Sequence, residues 1–161
     1  MSYTQQPVAN PGMSVGGGNR NAKNLPVDAN GRDWSSGIFE CVEDPITFVV
    51  AWFAPCVVYG QNRTRYEQLV QHGSPDPQQR DLLNSPNLVN NHCITHGLLH
   101  CFCAAGFVMQ FLQRGPTRER YNIRGSPAED FVLSCFCSPC ELTQESREIA
   151  LEEQSFGKQQ A

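Results

Sequence analysis

The chain shows no sustained alternation of apolar and polar residues, which half-buried strands would need. Its apolar stretches instead follow polar residues that are joined directly to proline. These pairs are Asp44-Pro45, Ser85-Pro86, Ser126-Pro127 and Ser138-Pro139. The polar side chain of each pair can accept a bond from a free backbone N–H, and proline at the first helical position leaves no donor missing. The pattern therefore predicts an all-α fold.

The expected helices are bounded by these starts and by glycine and proline. They span 45–72, 86–113, 127–135 and 139–155. We expect a kink or break near Pro55, an end at Gly115-Pro116 for the second helix, and an end near Gly157 for the last. Glutamates three residues after Ser126 and after Ser138 complete two capping boxes, which makes these two starts the most specific.

The domain organisation follows from where large apolar residues occur. Residues 1–33 have almost none and are rich in Gly, Asn and Pro, so they cannot bury enough surface to offset the entropy of ordering. We expect a disordered N-terminal tail at 1–33, a small cysteine-rich helical bundle at 34–155 and a C-terminal tail at 156–161. The last helix carries a polar run with Leu142 and Ile149 on one face, which is typical of a solvated helix that packs through one stripe.

Charge and cysteine content limit the partners and the compartment. The net charge is −4, and the basic residues are scattered rather than gathered into a stripe, which argues against nucleic acid as a partner. The N-terminal stretch lacks the charged and apolar regions of a secretory signal, so we expect an intracellular, cytoplasmic protein. In a reducing compartment, eight cysteines indicate metal binding, reactive thiols or burial rather than disulfides.

Two apolar stretches, Ile46–Gly60 and Gly97–Leu112, raise the question of a membrane. A spanning helix needs about 20 consecutive apolar residues, and both stretches are shorter. The first contains Pro55, and the second contains His100 and Gln110. We expect buried core helices, with association with the plasma membrane as the alternative.

The most specific chemical motif is Cys135-Phe136-Cys137-Ser138-Pro139-Cys140, which leads into a predicted helix. Free N–H groups and the helix dipole at that position favour a thiolate. Cys137 and Cys140 can form one half of a tetrahedral zinc site, but the chain contains no second CxxC pair. The remaining ligands must come from elsewhere. The candidates are Cys41, Cys56, His92, His96, His100, Cys101 and Cys103.

Enzymatic readings of these residues are weaker. His92 and His96 have the spacing of the zincin HExxH motif, but Cys93 replaces the catalytic glutamate. A CxxC at a helix start also resembles a redox pair, which normally follows a strand in a context that this chain lacks. We therefore expect no catalytic residue. For Cys93, Cys101 and Cys103, the alternative to binding a metal ion is burial as small hydrophobic residues.

The motifs taken in order resemble the placenta-specific-8 cysteine-rich family, which includes onzin, cornifelin, and the plant cadmium-resistance and cell-number-regulator proteins. The matching motifs are Trp34-Ser35-Ser36-Gly37, Cys41, Asp44, Ala54-Pro55-Cys56, Gly60, Tyr121-Asn122-Ile123-Arg124-Gly125-Ser126, Asp130, Cys137, Cys140 and Gln144-Glu145-Ser146-Arg147-Glu148-Ile149. The resemblance covers about residues 34–150. The family usually has Cys-Pro-Cys where this chain has Ala54-Pro55-Cys56. The chain therefore looks like a fungal-style member of the family.

The resemblance implies a single structural zinc site formed by Cys41, Cys56, Cys137 and Cys140. The candidate replacements are His96, His100, Cys101 and Cys103. Such a site would contribute on the order of 10 kcal/mol to folding. The implied function is metal-ion homeostasis or resistance, or growth regulation through a protein partner. The alternative is a membrane-associated homo-oligomer that takes part in divalent-cation transport.

Overall fold

A computed structural model describes residues 18–77, 82 and 85–159, with side chains described up to residue 156. The helices are a 3₁₀ helix at Ile38–Glu43, then α1 (Pro45–Phe53), α2 (Pro55–Gln71), α3 (Asn91–Cys103), α4 (Gly106–Tyr121), α5 (Pro127–Phe136) and α6 (Ser138–Gln159). Within the described ranges the only extended pairings are isolated bridges, so the all-α prediction is confirmed. The predictions for residues 1–17 and 160–161 lie outside the described residues.

Two of the predicted helix starts are confirmed at the level of single hydrogen bonds. The Asp44 side chain accepts from the Thr47 backbone N–H at 3.2 Å, and Ser126 Oγ accepts from the Glu129 N–H at 3.3 Å. Proline occupies the first turn in both helices. These starts could be predicted because each one is decided by residues within a single turn.

The prediction of one helix over 86–113 is wrong. The helix begins at Asn91 instead, because the Asn90 side chain caps it by accepting from the Cys93 N–H at 2.9 Å. It ends at Cys103, where Ala104 adopts a left-handed conformation with a φ of 49°. Two helices, α3 and α4, therefore replace the one that was expected.

The expected helix end at Gly115-Pro116 is also wrong, because α4 continues through Pro116 to Tyr121. Asp130 of α5 holds the helix on both sides of the proline. Its two carboxylate oxygens accept from Arg114 Nε at 2.9 Å and from Arg118 Nε at 2.8 Å. These buried charge-assisted bonds offset the backbone bond that proline cannot make.

The second predicted capping box does not form. Helix α6 begins at Ser138, whose hydroxyl donates to the Gln110 side chain at 2.7 Å instead of capping its own helix. The Glu141 carboxylate, which was expected to complete the box, makes no hydrogen bond. Helix α6 also runs past Gly157, where we expected it to end, as far as Gln159.

Helix α6 lies at the centre of the bundle, and the expectation of a solvated helix is wrong. Leu142 and Ile149 are buried as predicted, but most of the polar run is buried as well. These polar side chains are held by partners from distant segments. Glu153, for example, accepts from Arg65 Nε of α2 at 3.0 Å. Charged groups can be buried when they are paired in this way.

Residues 18–33, which the sequence assigns to the tail, lie against the helices. The Arg32 side chain is almost completely buried, and its Nε donates to the Tyr121 carbonyl at 3.1 Å. The Asn19 N–H donates to Ser155 Oγ at 2.6 Å. This segment is therefore held by polar contacts rather than by apolar burial.

The junctions between α1 and α2, between α3 and α4, and between α5 and α6 lie at one end of the bundle. Helices α2 and α6 run parallel, since Asn62 donates to the Leu142 carbonyl and Arg65 donates to Ser146 one turn further along. Helix α3 runs antiparallel to α2, because Asn90 donates to the Gly60 carbonyl while a Cβ at Gly97 would contact Cys56.

Each of these junctions carries a solvent-exposed phenylalanine. Phe53, Phe102 and Phe136 are 83%, 81% and 83% exposed, respectively. We call the surface formed by these three side chains and their junctions the apolar end. The expectation that the two apolar stretches form buried core helices is thus wrong for much of their surface. Among the residues that the structure describes, no helix combines the length and apolar character needed to cross a bilayer.

Candidate functional site

Three of the four cysteines predicted to bind metal lie together beside the start of α6. The Sγ atoms of Cys41 and Cys140 are 3.2 Å apart, although the two residues are separated by 99 positions in the sequence. Cys137, which directly precedes α6, lies close enough to Cys140 to raise the pKa of its thiol. We call Cys41, Cys137 and Cys140 the thiol cluster.

The 3₁₀ helix that carries Cys41 is fixed to α6 by an arginine. Arg147 donates from Nη1 to the Glu40 carbonyl and from Nη2 to the Glu43 carboxylate, both at 2.6 Å. The Glu40 side chain in turn accepts from the Gly37 N–H at 3.0 Å, which caps the start of the 3₁₀ helix. Cys41 is consequently buried against α6.

The fourth predicted ligand, Cys56, is paired with a different thiol. It begins α2 together with Pro55 and lies next to Cys93 of α3. Burial, followed by the neighbouring Cys56 thiol, raises the pKa of Cys93 to about 12. The close approach of α2 and α3 depends on Gly60, since a Cβ there would lie 2.8 Å from the Cys93 Cβ. The structure thus forms one thiol cluster and one thiol pair.

The surroundings of Cys140 favour a protonated thiol, whereas its position at a helix start suggests a thiolate. Burial raises the pKa of this thiol, and the neighbouring thiols of Cys41 and Cys137 raise it further. The cost of removing the sulfur from water therefore outweighs the favourable dipole of the helix. A metal ion that binds here must displace protons, so its affinity would depend on pH.

The chemistry of the thiol cluster fits a thiophilic metal ion such as Zn²⁺, which accepts thiolate ligands. Within the described part of the chain, however, no group of three or more His, Cys, Asp or Glu side chains is already arranged to hold a metal ion. Sulfurs that hydrogen-bond to one another would have to turn towards a common ion. The three thiols would thus supply ligand atoms for a metal ion, and metal binding would have to bring these atoms into the right arrangement.

The candidate replacement ligands lie in other surroundings. His96 is fully buried, stacks on Tyr59 at 4.8 Å, and accepts at Nε2 from the Gln110 amide at 3.0 Å. Burial, followed by the neighbouring His100, lowers the pKa of His96 to about 4. The His100 ring stacks on His96 at 6.0 Å. The other two candidates, Cys101 and Cys103, are exposed.

Sequence reasoning missed two buried carboxylates next to the thiol cluster. Glu141 and Glu145 are fully buried, and neither oxygen of Glu141 has a hydrogen-bond partner in the described structure. Arg114 Nη1 lies 3.8 Å from Glu141 Oε1, which is too far for a hydrogen bond. Burial, followed by the charge of Glu145, raises the pKa of Glu141 to about 8. Nothing in the sequence indicates this burial, because both glutamates fall in a run that looks solvated.

Comparison with known proteins identifies a matching family model and several curated relatives. The model of the PLAC8 family matches residues 34–148, a range that contains the thiol cluster and the Cys56–Cys93 pair. Protein plant cadmium resistance 10 of Arabidopsis thaliana is 34% identical over 139 residues, which cover 78% of this chain and 65% of that protein. Plant cadmium resistance 4 of the same organism is 31% identical, over 72% of this chain and 54% of the relative.

Cell number regulator 1 of Zea mays is 28% identical over 122 residues, which cover 73% of this chain and 53% of the relative. The chain thus spans about half the length of several of the curated relatives it matches. No solved structure matches it. Because the family model covers most of the sequence, including its predicted cysteine ligands, the chain belongs to the PLAC8 family.

Proposed function

We propose that this protein binds a thiophilic divalent metal ion, zinc in the resting state, through Cys41, Cys137 and Cys140. The observation that carries the proposal is the 3.2 Å approach of the Cys41 and Cys140 sulfurs, with Cys137 close enough to raise the pKa of the Cys140 thiol. The proposed role is in metal-ion homeostasis or resistance, and it involves no catalytic step. The names of the relatives, which refer to cadmium resistance and to cell number, support a role in metal resistance or growth regulation.

Metal binding at this cluster would stabilise the fold as well as hold the ion. Cys41 belongs to the 3₁₀ helix and Cys140 to α6, so an ion shared by their sulfurs would link two elements 99 positions apart. Thiolate ligands select Zn²⁺ and other thiophilic ions over Mg²⁺ and Ca²⁺. The same donors would accept Cd²⁺, which suits a role in resistance to that ion.

The purified full chain tests the proposal by elemental analysis after exposure to zinc and dialysis. We expect close to one zinc ion per chain, and a loss of helicity by circular dichroism when a chelator removes it. Cys140→Ser should abolish binding, because Cys140 joins the other two thiols. Cys101→Ser is the matched control, since Cys101 is exposed and should leave the zinc content unchanged. Equal zinc in the wild type and in Cys140→Ser would exclude the cluster as the site.

The apolar end favours a second candidate, association with a lipid surface. Three phenylalanines more than 80% exposed at neighbouring helix junctions form the kind of surface that inserts into the headgroup region of a bilayer. Trp52 of α1, which is also exposed, adds an aromatic ring suited to this depth. Association with a membrane is required if the protein contributes to divalent-cation transport, as a homo-oligomer or otherwise.

Flotation of the full chain with phospholipid vesicles tests this second candidate. We expect the wild type to float with the vesicles, and the combined variant Phe53→Ser, Phe102→Ser and Phe136→Ser to remain at the bottom. Val70→Ser is the control, because Val70 is exposed near the opposite end of α2. Failure of the wild type to float, or equal flotation of the triple variant, would contradict binding through the apolar end.

A further inference from the structure

The cysteines of this chain fall into two classes according to their surroundings. Five of them lie near another thiol, in the thiol cluster and in the Cys56–Cys93 pair. The other three, Cys101, Cys103 and Cys135, are exposed. The metal-binding proposal uses only cysteines of the first class, so the exposed thiols need a separate explanation.

All three exposed cysteines lie at the apolar end. Cys101 and Cys103 flank Phe102 at the end of α3, and Cys135 precedes Phe136 at the end of α5. The surrounding sequence is free of charge, since no Asp, Glu, Lys or Arg occurs between Asp81 and Arg114. None occurs between Asp130 and Glu141 either. These thiols therefore lie in the part of the molecule that is proposed to contact lipid.

We propose that Cys101, Cys103 and Cys135 are S-acylation sites that accept a long-chain fatty acyl group from an acyl thioester. Cysteines on amphipathic helices next to a membrane are typical acceptors of this modification. The inference rests on the proposed membrane association, because the modification takes place where the thiol meets the lipid.

The reaction is a balanced group transfer without oxidation or reduction. The cysteine Sγ attacks the carbonyl carbon of the acyl thioester, so that a new Sγ–C bond forms and the C–S bond of the donor breaks. The proton of the cysteine thiol ends on the thiol of the donor. Exposure of the three thiols gives the donor access.

The positions of these cysteines argue against other uses. Cys101 and Cys103 are two residues apart on one helix, so their side chains do not face each other as a disulfide or a shared metal ion would require. A single acyl chain gives only marginal membrane binding, and stable anchoring needs a second signal. At the apolar end, several acyl chains would act together with the exposed phenylalanines.

The test uses the full chain expressed in eukaryotic cells, followed by hydroxylamine-dependent exchange of acyl groups for a mass label. We expect up to three labels on the wild-type chain and none on the combined variant Cys101→Ser, Cys103→Ser and Cys135→Ser. The matched control is Cys56→Ser with Cys93→Ser, which should keep every label. Circular dichroism checks that each variant is folded. A wild type without hydroxylamine-dependent label, or a triple variant that keeps it, would overturn the inference.

Vesicle flotation of the unmodified protein made in bacteria separates this inference from the proposed membrane association. If that protein floats but the cellular protein carries no acyl group, the acylation inference fails and the membrane proposal stands. If it stays at the bottom while the cellular protein is labelled on these three thiols, the acylation inference stands and binding through the phenylalanines fails. If the bacterial protein does not float and the cellular protein carries no label, both the membrane proposal and the acylation inference fail.

Discussion

The Arg32 guanidinium donates to the Glu148 carboxylate at 2.5 Å, although the two residues lie 116 positions apart and both are almost completely buried. Glu148 also accepts from the Ser35 N–H at 2.9 Å. Through this pair, the segment that precedes the helices is fixed to the middle of α6. Similar pairs at Glu152 and Glu153 add paired charges to a buried face of α6 that also contains Leu142 and Ile149.

Removing one member of this pair should destabilise the protein strongly. In Arg32→Met, the Glu148 carboxylate would keep its contacts with Ser35 but lose its compensating charge in a buried position. We expect a loss of about 3–5 kcal/mol in the free energy of unfolding, measured by urea denaturation.

The control for this prediction is Arg124→Met. Arg124 pairs with Asp33 at 2.6 Å, but both side chains are largely exposed, so we expect little change in the free energy of unfolding. Similar losses in the two variants would show that α6 does not depend on its buried pairs.

The packing of α2 against α3 yields a prediction with an internal control. A Cβ at Gly60 would lie 2.6 Å from Asn90 Oδ1 and 2.9 Å from the Cys93 backbone nitrogen, so Gly60→Ala must push the two helices apart. We expect a loss of about 1–3 kcal/mol in the free energy of unfolding.

Gly115 is also a helical glycine, but a Cβ there would meet nothing within 4 Å. Gly115→Ala should therefore stabilise the protein by about 0.5–1 kcal/mol, as expected for alanine in a helix. Thermal unfolding of both variants checks the signs, and the same sign at both positions would contradict the close approach at Gly60.

The burial of His96 predicts an acid-sensitive contribution to stability. The ring stays neutral in the folded protein until the pH reaches about 4, whereas an unfolded histidine takes up a proton near its ordinary value of 6.5. Protonation of the unfolded chain therefore favours unfolding. The stabilisation that depends on a neutral His96 is fully present above pH 6.5 and is lost progressively as the pH falls towards 4. It amounts to about 3 kcal/mol at most in the free energy of unfolding.

Urea denaturation at about pH 7 and at about pH 4.5 measures this contribution. His96→Met should reduce the difference between the two free energies of unfolding, whatever its effect on stability at neutral pH. His92→Gln is the control, because His92 is partly exposed and paired with Glu67 at 3.1 Å. An unchanged pH difference in His96→Met would mean that His96 is not held neutral by burial.

The sequence predicted those features that depend on neighbouring residues. The starts at Asp44 and Ser126 are each decided by one side chain and the first turn, and they form as expected. The start at Ser138 looked equally specific, but the Ser138 hydroxyl donates its hydrogen bond to Gln110 of α4. That competition depends on tertiary structure, which no local pattern reveals.

The candidate site could be predicted only in part, because some of its residues are brought together by tertiary structure alone. Cys137 and Cys140 are close in the sequence, and the family resemblance selected Cys41 from the other candidate ligands. The structure places the Cys41 sulfur 3.2 Å from that of Cys140. The pairing of Cys56 with Cys93 could not be foreseen, since it depends on the antiparallel packing of α3 against α2. Hydropathy failed at Glu141 and at Phe53 because it assigns glutamate to the surface and phenylalanine to the core.

X-ray absorption spectroscopy of the zinc-loaded full chain most directly tests the central claim, that thiols from distant parts of the sequence bind one metal ion. We predict a first shell dominated by sulfur at about 2.3 Å, and the loss of this shell in Cys140→Ser but not in Cys101→Ser. A first shell of oxygen and nitrogen only, or a sulfur shell that is identical in Cys140→Ser, would contradict it.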